Sequence, residues 1–276
     1  MKIFIVGLGI IGASYAEGLN RKGHQIYAYN RSERPILEGI KEGFIEKDNS
    51  LDKLSTCDLV ILALYPKYNV EFVKNNQSLF VSGQMITDVS GTKLWMMEAL
   101  EKLLPKGISY TSHHPMAGKE TSGYDSKDYN MFRGANFLIV PGTRSHKKDQ
   151  EVLRLIANNL NFGKITVVPA KSHDELIAFT SQLTHVLAVA LMQSDNLKET
   201  KEATGDSFRD LTRIAKINET MWSELFLENK EALVSKINDF MEELKYVKEL
   251  ILCEDKDTLM SYLKEAKEKR KAFDIH

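Results

Sequence analysis

The chain has 276 residues, with 37 basic and 38 acidic side chains and a net charge of −1 at pH 7. This balance gives no reason to expect nucleic acid or a membrane surface as a partner, and no apolar run in the sequence reaches the length of a transmembrane helix. The two cysteines, Cys57 and Cys253, fit no C-x-x-C spacing, so we expect free thiols, no metal site and, with no signal peptide before the first strand, a cytoplasmic location.

The first 32 residues predict a β-α-β unit. Residues 2–6 are typical of a buried strand, residues 13–21 of a helix, and residues 25–29 of a second strand. The first turn carries three glycines in the G-x-G-x-x-G spacing: Gly7, Gly9 and Gly12. In this context the spacing indicates a dinucleotide site, where the backbone approaches the pyrophosphate and a helix N-terminus faces its charge. The predicted loop is completed by the residues between the glycines: Leu8, Ile10 and Ile11.

The end of the second strand bears on the choice of nucleotide. NAD sites usually have Asp or Glu there, which accepts hydrogen bonds from the ribose 2′-hydroxyl, whereas this chain has Asn30, Arg31 and Ser32. Arg31 would attract a 2′-phosphate, and the side chains of Asn30 and Ser32 can hydrogen-bond to it. The sequence therefore favours NADP, with NAD and a solvated Arg31 as the alternative.

Strands and helices alternate as far as residue 168. The pattern predicts strands at 59–64, 85–89, 108–112, 136–140 and 164–168, with helices at 35–43, 51–55, 68–80, 94–104 and 148–160. The carboxyl ends of such strands face the cofactor, which adds four residues to the predicted nucleotide site: Leu64, Tyr65, Pro66 and Asp88. The predicted fold class is α/β, with a Rossmann-type doubly wound sheet in a domain at 1–169.

After Pro169 the strand patterns disappear, and residues 170–276 predict an all-α second domain. Its first helix is expected over 174–193, with Ser172 or His173 as the cap.

The middle of that helix, residues 186–191, is apolar on nearly all sides and predicts burial. Apolar residues then recur at helical spacing over 218–252, as the core of this domain or as the seam of a homodimer. Residues 254–270 predict a solvated amphipathic helix.

Two histidines, His113 and His114, follow the predicted strand at 108–112. A neutral imidazole beside a nicotinamide can take a hydroxyl proton while hydride leaves the same carbon. His114 is the candidate base and His113 its competing neighbour, with the alternative that either satisfies the backbone of its loop. Ser90 or Thr92, after the preceding strand, could orient this histidine or hold the nicotinamide amide, and one of them could cap the next helix.

The predicted second domain offers two further clusters. His185 lies inside the apolar helix, where it is either a satisfied core histidine or a ligand-binding group. Arg209 and Arg213 lie four residues apart on one helix face. They either pair with Asp206 and Asp210, or one of them binds a substrate carboxylate through bidentate hydrogen bonds.

Five segments of the chain, in this order, resemble the prephenate/arogenate dehydrogenase family: GLGIIGAS, DVSGTK, HHPMAG, the SQLTH helix and FRDLTRIA. The resemblance covers nearly the whole chain. It implies a Rossmann domain, a helical domain that forms a tight homodimer, and oxidation of the ring alcohol of prephenate or arogenate with loss of carbon dioxide.

The resemblance also implies roles for four residues. His114 matches the catalytic histidine that hydrogen-bonds the ring hydroxyl, and His185 matches a histidine near the substrate. Arg213 matches the arginine that binds the substrate carboxylate, and Glu120 matches an acidic residue near the pocket entrance.

The chain departs from the family pattern at two places. Where the family commonly has a serine that supports the histidine and the nicotinamide, this chain has Gly91, so only Ser90 or Thr92 could serve. The family's S-H-L-P-H is S-Q-L-T-H at residues 181–185.

Two other classes remain as alternatives. One is an NADP-dependent β-hydroxyacid or imine-type dehydrogenase, which would typically present a lysine on the long helix where this chain has His185. The other is a non-catalytic dinucleotide sensor, which would not need His114 and Arg213 together. Within the resembled family, prephenate and arogenate both fit as substrates.

Overall fold

The computed structural model describes residues 1–118 and 121–274. The chain forms two compact units, Met1–Asn229 and Lys230–His276. The predicted domain boundary after Pro169 lies within the first unit, where the sheet gives way to helices.

A single mixed sheet is the centre of the first unit. Its described residues contribute seven strands: β1 (Lys2–Val6), β2 (Gln25–Tyr29), β3 (Leu59–Leu62), β4 (Met85–Asp88), β5 (Ser109–Pro115), β6 (Phe137–Pro141) and β7 (Ile165–Val167). They lie in the order β2-β1-β3-β4-β5-β6-β7. Strands β1 to β5 are parallel, β6 is antiparallel to β5, and β7 is parallel to β6.

The strands are apolar throughout because both faces of the sheet are covered. Ile3 and Ile5 of β1 lie in one apolar cluster, and Phe4 and Val6 lie in a second, as the alternation of side chains along a strand requires. The connecting helices are α1 (Ile10–Asn20), α2 (Arg34–Glu42), α3 (Pro66–Asn75), α4 (Leu94–Leu103) and α5 (Lys147–Asn159). The predicted α/β class and doubly wound sheet are confirmed. Because β1 lies between β2 and β3, the carboxyl ends of these strands frame the crevice where such folds bind ligands.

Strand β5 is longer than the sequence indicated. The predicted strand ended at Ser112, but β5 continues to Pro115 and includes His113 and His114. The extension exists because this part of β5 pairs antiparallel with β6, through the partners His114↔Leu138 and Pro115↔Phe137. The two histidines therefore belong to the sheet and not to a loop, and their side chains point to opposite faces.

A long helix follows the sheet. It comprises α6 (Ala170–Ile177), a π-helical segment (Ala178–Gln182) and α7 (Leu183–Gln193). The predicted start at a cap on Ser172 or His173 is wrong, because the helix begins at Ala170 with Pro169 as its N-cap.

This helix also corrects two expectations about apolar runs. Its span from Ala170 to Gln193 is long and apolar enough to cross a membrane, by length and composition. Within the single chain, the predicted burial of residues 186–191 is not observed, since Ala188 is the one residue of that stretch that is buried.

The first unit ends with α8 (Thr200–Ala203), α9 (Asp206–Thr212), a 3₁₀ turn (Arg213–Ala215) and α10 (Glu219–Glu228). The single helix predicted over 218–252 is interrupted at Asn229, whose buried side-chain amide donates to the Asp174 carbonyl (2.9 Å) and to Oε1 of Gln182 (2.8 Å). The second unit contains α11 (Lys230–Leu252) and α12 (Lys256–Lys271). These two helices contact each other through Tyr246 and Tyr262, whose rings meet edge to face.

Candidate active site

The glycine turn after β1 has room for a dinucleotide. Gly7 has φ +100°, and a Cβ added to Gly12 would lie 1.9 Å from the Gly7 carbonyl oxygen, so both glycines are required by the turn itself. A Cβ added to Gly9 would meet no described atom within 4 Å. Gly9 is also the N-cap of α1, and the first turn of α1 contains no acidic residue. Free N–H groups and open space at a helix N-terminus fit a pyrophosphate.

The residues between these glycines connect the turn to the sheet. The Leu8 side chain is buried, and its backbone N–H donates to Oδ1 of Asn30 (3.0 Å). Ile10 and Ile11 are half-buried in the first turn of α1. The predicted loop residues thus lie together at the carboxyl end of β1.

The end of β2 presents Arg31 and Ser32 to solvent. Asn30 is engaged by the protein, because its amide also donates to the Ser32 carbonyl (3.0 Å). The nearby Arg34 is paired with Glu38 (2.8 Å) and Asp125 (2.5 Å). Arg31 and Ser32 are therefore exposed side chains at this strand end whose polar groups have no role in holding the loop.

The loop after β3 is held by a buried amide that sequence reasoning missed. Oδ1 of Asn69 accepts the Leu64 N–H (3.1 Å), and its amide donates to the Leu64 carbonyl (2.9 Å). Tyr65 is the N-cap of α3 and Pro66 its first residue. The segment Leu64-Tyr65-Pro66 thus has a fixed shape at the carboxyl edge of the sheet, and its contact with the nucleotide stays a prediction.

Asp88 was predicted to bind the cofactor, but its side chain is fully buried at the end of β4. Its carboxylate accepts hydrogen bonds from Lys93 Nζ (2.9 Å), the Tyr110 hydroxyl (2.7 Å), the Ser112 hydroxyl and the Ser90 N–H (2.9 Å). Burial alone would raise the pKa of Asp88, but Lys93 and the hydroxyl donors lower it overall. Asp88 therefore shapes the loop between β4 and α4 and has no free oxygen pointing at a ligand.

The two hydroxyls expected to support His114 have other partners. The Ser90 hydroxyl donates to Sδ of Met96 (2.8 Å), and the Thr92 hydroxyl donates to Glu228 (2.6 Å). Burial raises the pKa of the Glu228 carboxyl. The expectation that Ser90 or Thr92 contacts His114 is therefore not met in this structure.

His113 is a core residue. Its ring is fully buried, with Nε2 3.0 Å from the Tyr15 hydroxyl and Nδ1 2.7 Å from the Thr87 hydroxyl. Burial, together with Lys93, lowers the pKa of His113 to about 3. With both nitrogens occupied, His113 does not compete with its neighbour for the role of base.

His114 is only partly buried and faces the opposite side of β5. Its Nδ1 lies 2.9 Å from Nε2 of His173 on α6, and Nδ1 of His173 lies 2.7 Å from Oδ1 of Asp174. Burial, the neighbouring His173 and Lys93 lower the pKa of His114 well below its usual range. At neutral pH this ring is unprotonated, so it has a lone pair that can accept a proton. The sequence predicts His173 only as a helix cap, because its separation of 59 residues from His114 leaves no local signal.

The two predicted substrate-binding residues lie on elements that pack together, α7 and the 3₁₀ turn after α9. His185 is half-buried, its Nδ1–H donates to the Ser181 carbonyl (2.9 Å), and its ring stacks on Trp222 at 3.7 Å. Burial lowers the pKa of His185. Arg213 lies exposed in the turn. Glu120 lies outside the described residues.

The glycine turn is open to a pyrophosphate and lies at the switch point of a doubly wound sheet. The same sheet carries a neutral histidine. Together these features are those of a dinucleotide-dependent oxidoreductase. Two family descriptions match the chain: "Prephenate dehydrogenase, nucleotide-binding domain" over residues 15–167 and "Prephenate dehydrogenase, dimerization domain" over residues 169–265. The chain belongs to the prephenate dehydrogenase family, and its cofactor is a nicotinamide dinucleotide. It is an oxidoreductase of the class that acts on a CH–OH group with decarboxylation.

Individual relatives agree with this assignment. The chain is 31% identical to the prephenate dehydrogenase of Lactococcus lactis subsp. cremoris over 285 residues, covering 100% of this chain and 78% of the relative. It is 28% identical to the cyclohexadienyl dehydrogenase of Zymomonas mobilis, covering 98% of this chain and 95% of the relative. The crystal structure of Aquifex aeolicus prephenate dehydrogenase in complex with hydroxyphenyl propionate and NAD⁺ is 30% identical, with a TM-score of 0.89 over 99% of this chain and 98% of that chain.

Proposed function

We propose that this protein oxidises the ring alcohol of prephenate or arogenate with loss of carbon dioxide, giving 4-hydroxyphenylpyruvate or tyrosine. The observation that carries the proposal is the state of His114, a neutral imidazole whose Nδ1 is held by His173. This contact leaves Nε2 as the nitrogen that meets a ligand.

His114 supplies the base of the reaction. Its Nε2 takes the proton of the ring hydroxyl, which favours departure of hydride from the same carbon. The bound nicotinamide supplies the hydride acceptor. Loss of the ring carboxylate as carbon dioxide then makes the ring aromatic, so the protein needs no acid for that step. Its remaining tasks are to orient the ring and to exclude water.

Arg213 is assigned to a substrate carboxylate, with His185 in the same substrate site. A guanidinium forms bidentate hydrogen bonds with a carboxylate, and the packing of the Arg213 turn on α7 supports a shared site with His185. The stacking of Trp222 on His185 supports a fixed ring orientation. The role of Glu120 at the pocket entrance stays a prediction.

We propose NADP as the preferred cofactor. No carboxylate follows β2 directly, and the exposed Arg31 and Ser32 suit a 2′-phosphate. Asn30 contributes by holding this loop against Leu8, and not as a phosphate ligand.

We further propose a cytoplasmic homodimer with no membrane partner. The family description of residues 169–265 is a dimerization domain. This supports the proposal that a second copy of the chain covers the apolar helix surfaces. The large apolar side chains exposed between residues 179 and 227 include Phe179, Leu191, Met192, Leu197, Leu211 and Leu227.

Steady-state turnover with prephenate and with arogenate, each with NAD and NADP, tests the function. Absorbance of the reduced nicotinamide is the readout. We expect turnover with at least one pairing, and we expect His114→Asn to abolish it while nucleotide affinity is kept. Absence of turnover with all four pairings would move the assignment to another hydroxyacid or imine-type dehydrogenase or to a sensor.

A further inference from the structure

We propose that His173 and Asp174 form a proton relay behind His114, a role that rests on the proposed dehydrogenase function. As Nε2 of His114 takes the substrate hydroxyl proton, the Nδ1–H bond of His114 breaks and a new N–H bond forms at Nε2 of His173. The O–H electron pair of the substrate becomes part of the ring carbonyl as hydride leaves to the cofactor. His114 ends neutral, and the positive charge lies on His173 beside the Asp174 carboxylate.

The geometry forms an unbroken line of hydrogen bonds. The distances are 2.9 Å from His114 Nδ1 to His173 Nε2 and 2.7 Å from His173 Nδ1 to Asp174 Oδ1. His173 is fully buried, and Asp174 is nearly so. Water therefore has little access to these imidazole nitrogens, and a proton leaving Nδ1 of His114 has His173 as its acceptor.

Asp174 fixes the tautomers of both rings. Its carboxylate also accepts the N–H groups of Lys93 and Leu94, each at 2.9 Å. Because a carboxylate only accepts, Nδ1 of His173 carries the hydrogen, and Nε2 of neutral His173 holds a lone pair. Nδ1–H of His114 then donates to it, which leaves the lone pair of His114 on Nε2. This assignment follows from the hydrogen-bond network.

The charges around the two rings favour the transfer. Burial, together with the charges of His173, Lys93 and His113, lowers the pKa of His114. Burial and Lys93 also lower the pKa of His173, but Asp174, by hydrogen bond and charge, acts in the opposite direction, as does the charge of Asp88. A protonated His173 is therefore more stable than a protonated His114.

The helix cap alone does not explain the imidazole at position 173. Asp174 would accept the N–H groups of Lys93 and Leu94 whatever residue precedes it. A relay and a packing role can be distinguished by a substitution at position 173. The new side chain should fill the same space and accept a hydrogen bond, but it should not ionise. Glutamine at position 173 is such a side chain.

The first test is the tautomeric state of the unmutated protein. The full-length chain is labelled with ¹⁵N-histidine and studied by long-range ¹H–¹⁵N NMR, with signals assigned through His114→Asn and His173→Gln. We expect both rings to be neutral Nδ1–H tautomers near pH 7.5. An Nε2–H tautomer of His114 would overturn the relay, and this readout does not require turnover.

The second test is the pH profile of His173→Gln, with His113→Gln as the matched control on the neighbouring core histidine. We expect His173→Gln to lower kcat by about 100-fold or more, with little change in KM or in nucleotide affinity. The acidic limb of its pH profile for kcat should move to lower pH by about one unit. In the wild type the first proton goes to His173 beside Asp174, whereas in the variant it goes to His114, which has no adjacent carboxylate. His113→Gln should keep the wild-type limb.

The outcomes separate the two proposals. A His173→Gln enzyme with the wild-type kcat and acidic limb would refute the relay while leaving the dehydrogenase intact. A wild-type protein without turnover on either substrate would refute the dehydrogenase, whereas the NMR tautomers would still decide whether the chain of hydrogen bonds exists. If His173→Gln does not fold, the tautomers of the wild type decide alone.

Discussion

The Nζ atom of Lys93 lies 2.9 Å from Oδ1 of Asp88, and neither side chain exposes surface to solvent. Lys93 also donates to the carbonyl oxygen of His113 (2.7 Å). The ion pair thus ties the loop after β4 to the strand that carries His114. Burial lowers the pKa of Lys93, and the pairing with Asp88 opposes that effect.

Removing one partner of this pair should be costly. In Lys93→Met the Asp88 carboxylate stays buried without its counter-charge, and we expect the free energy of unfolding to fall by about 3–5 kcal/mol. Urea denaturation measures this change. Arg21→Met is the control, because Arg21 and Glu17 form a pair near the surface whose loss should cost less than about 1 kcal/mol. Similar losses of unfolding free energy in the two variants would contradict the larger contribution expected from the buried pair.

His113 should make the protein sensitive to acid. The folded chain binds a proton on this ring only near pH 3, whereas the unfolded chain binds it below about pH 6.5. The unfolded state therefore holds more protons in this window, and stability falls as the pH drops through it, by about 5 kcal/mol in total, of which about 3 kcal/mol is lost by pH 4. Urea unfolding of wild type and His113→Gln between pH 7 and pH 4 tests this, and parallel curves would show that His113 does not contribute.

Gly9 and Gly12 should respond to alanine in opposite ways. At Gly9, with φ −75° and open space around the added Cβ, we expect unchanged thermal stability and at least a tenfold weaker nucleotide affinity, about 1.4 kcal/mol. At Gly12 the Cβ would meet the Gly7 carbonyl, and we expect a loss of about 3 kcal/mol of stability or more. Calorimetric melting and nucleotide fluorescence titration measure both. Full affinity in Gly9→Ala would place the pyrophosphate elsewhere.

Arg31 should determine the proposed preference for NADP over NAD. We expect Arg31→Ala to weaken NADP binding by about tenfold or more, the usual size of a charge-assisted hydrogen bond, while NAD binding is unchanged. Arg34→Ala removes the same charge from a residue already paired with Glu38 and Asp125 and serves as the control. Equal losses in both variants would mean that only the general positive field attracts the phosphate.

The apolar side of α11 should hold the proposed homodimer together. Leu244 is 54% exposed in the single chain, and Leu244→Glu should shift the protein to monomers because a carboxylate would be buried at the interface. Ser235→Glu adds the same charge on the opposite side of this helix, nine residues away, and should leave the dimer intact. Sedimentation velocity distinguishes the two, and a dimeric Leu244→Glu would place the interface on another surface.

The parts of the fold that could be predicted are those set by local rules. The glycine turn follows from backbone sterics within a few residues, and the alternation of buried strands and helices follows from side-chain periodicity. The bounds of β5 could not be predicted, since its last residues are held by β6, which lies more than 20 positions further along the chain.

The candidate site is predictable in part for the same reason. Motifs predict His114, His185 and Arg213 as site residues, but the direction of a side chain depends on distant neighbours. Asp88 stands at a strand end, where carboxylates often meet ligands, yet Lys93 and Tyr110 draw it inward. His173 was missed because its partner is on a strand that precedes it by more than fifty residues.

Asp174 lies in the region matched as a dimerization domain, and the N–H groups it accepts belong to the region matched as a nucleotide-binding domain. The hydrogen bonds around His114, the proposed base, thus depend on both regions. A chimaera that exchanges either region with a distant relative would keep an intact cofactor turn and an intact histidine. It would lose the matched hydrogen bonds between Asp174 and the first turn of α4. Recombination within this family should therefore succeed only where His173, Asp174 and the first turn of α4 are exchanged together.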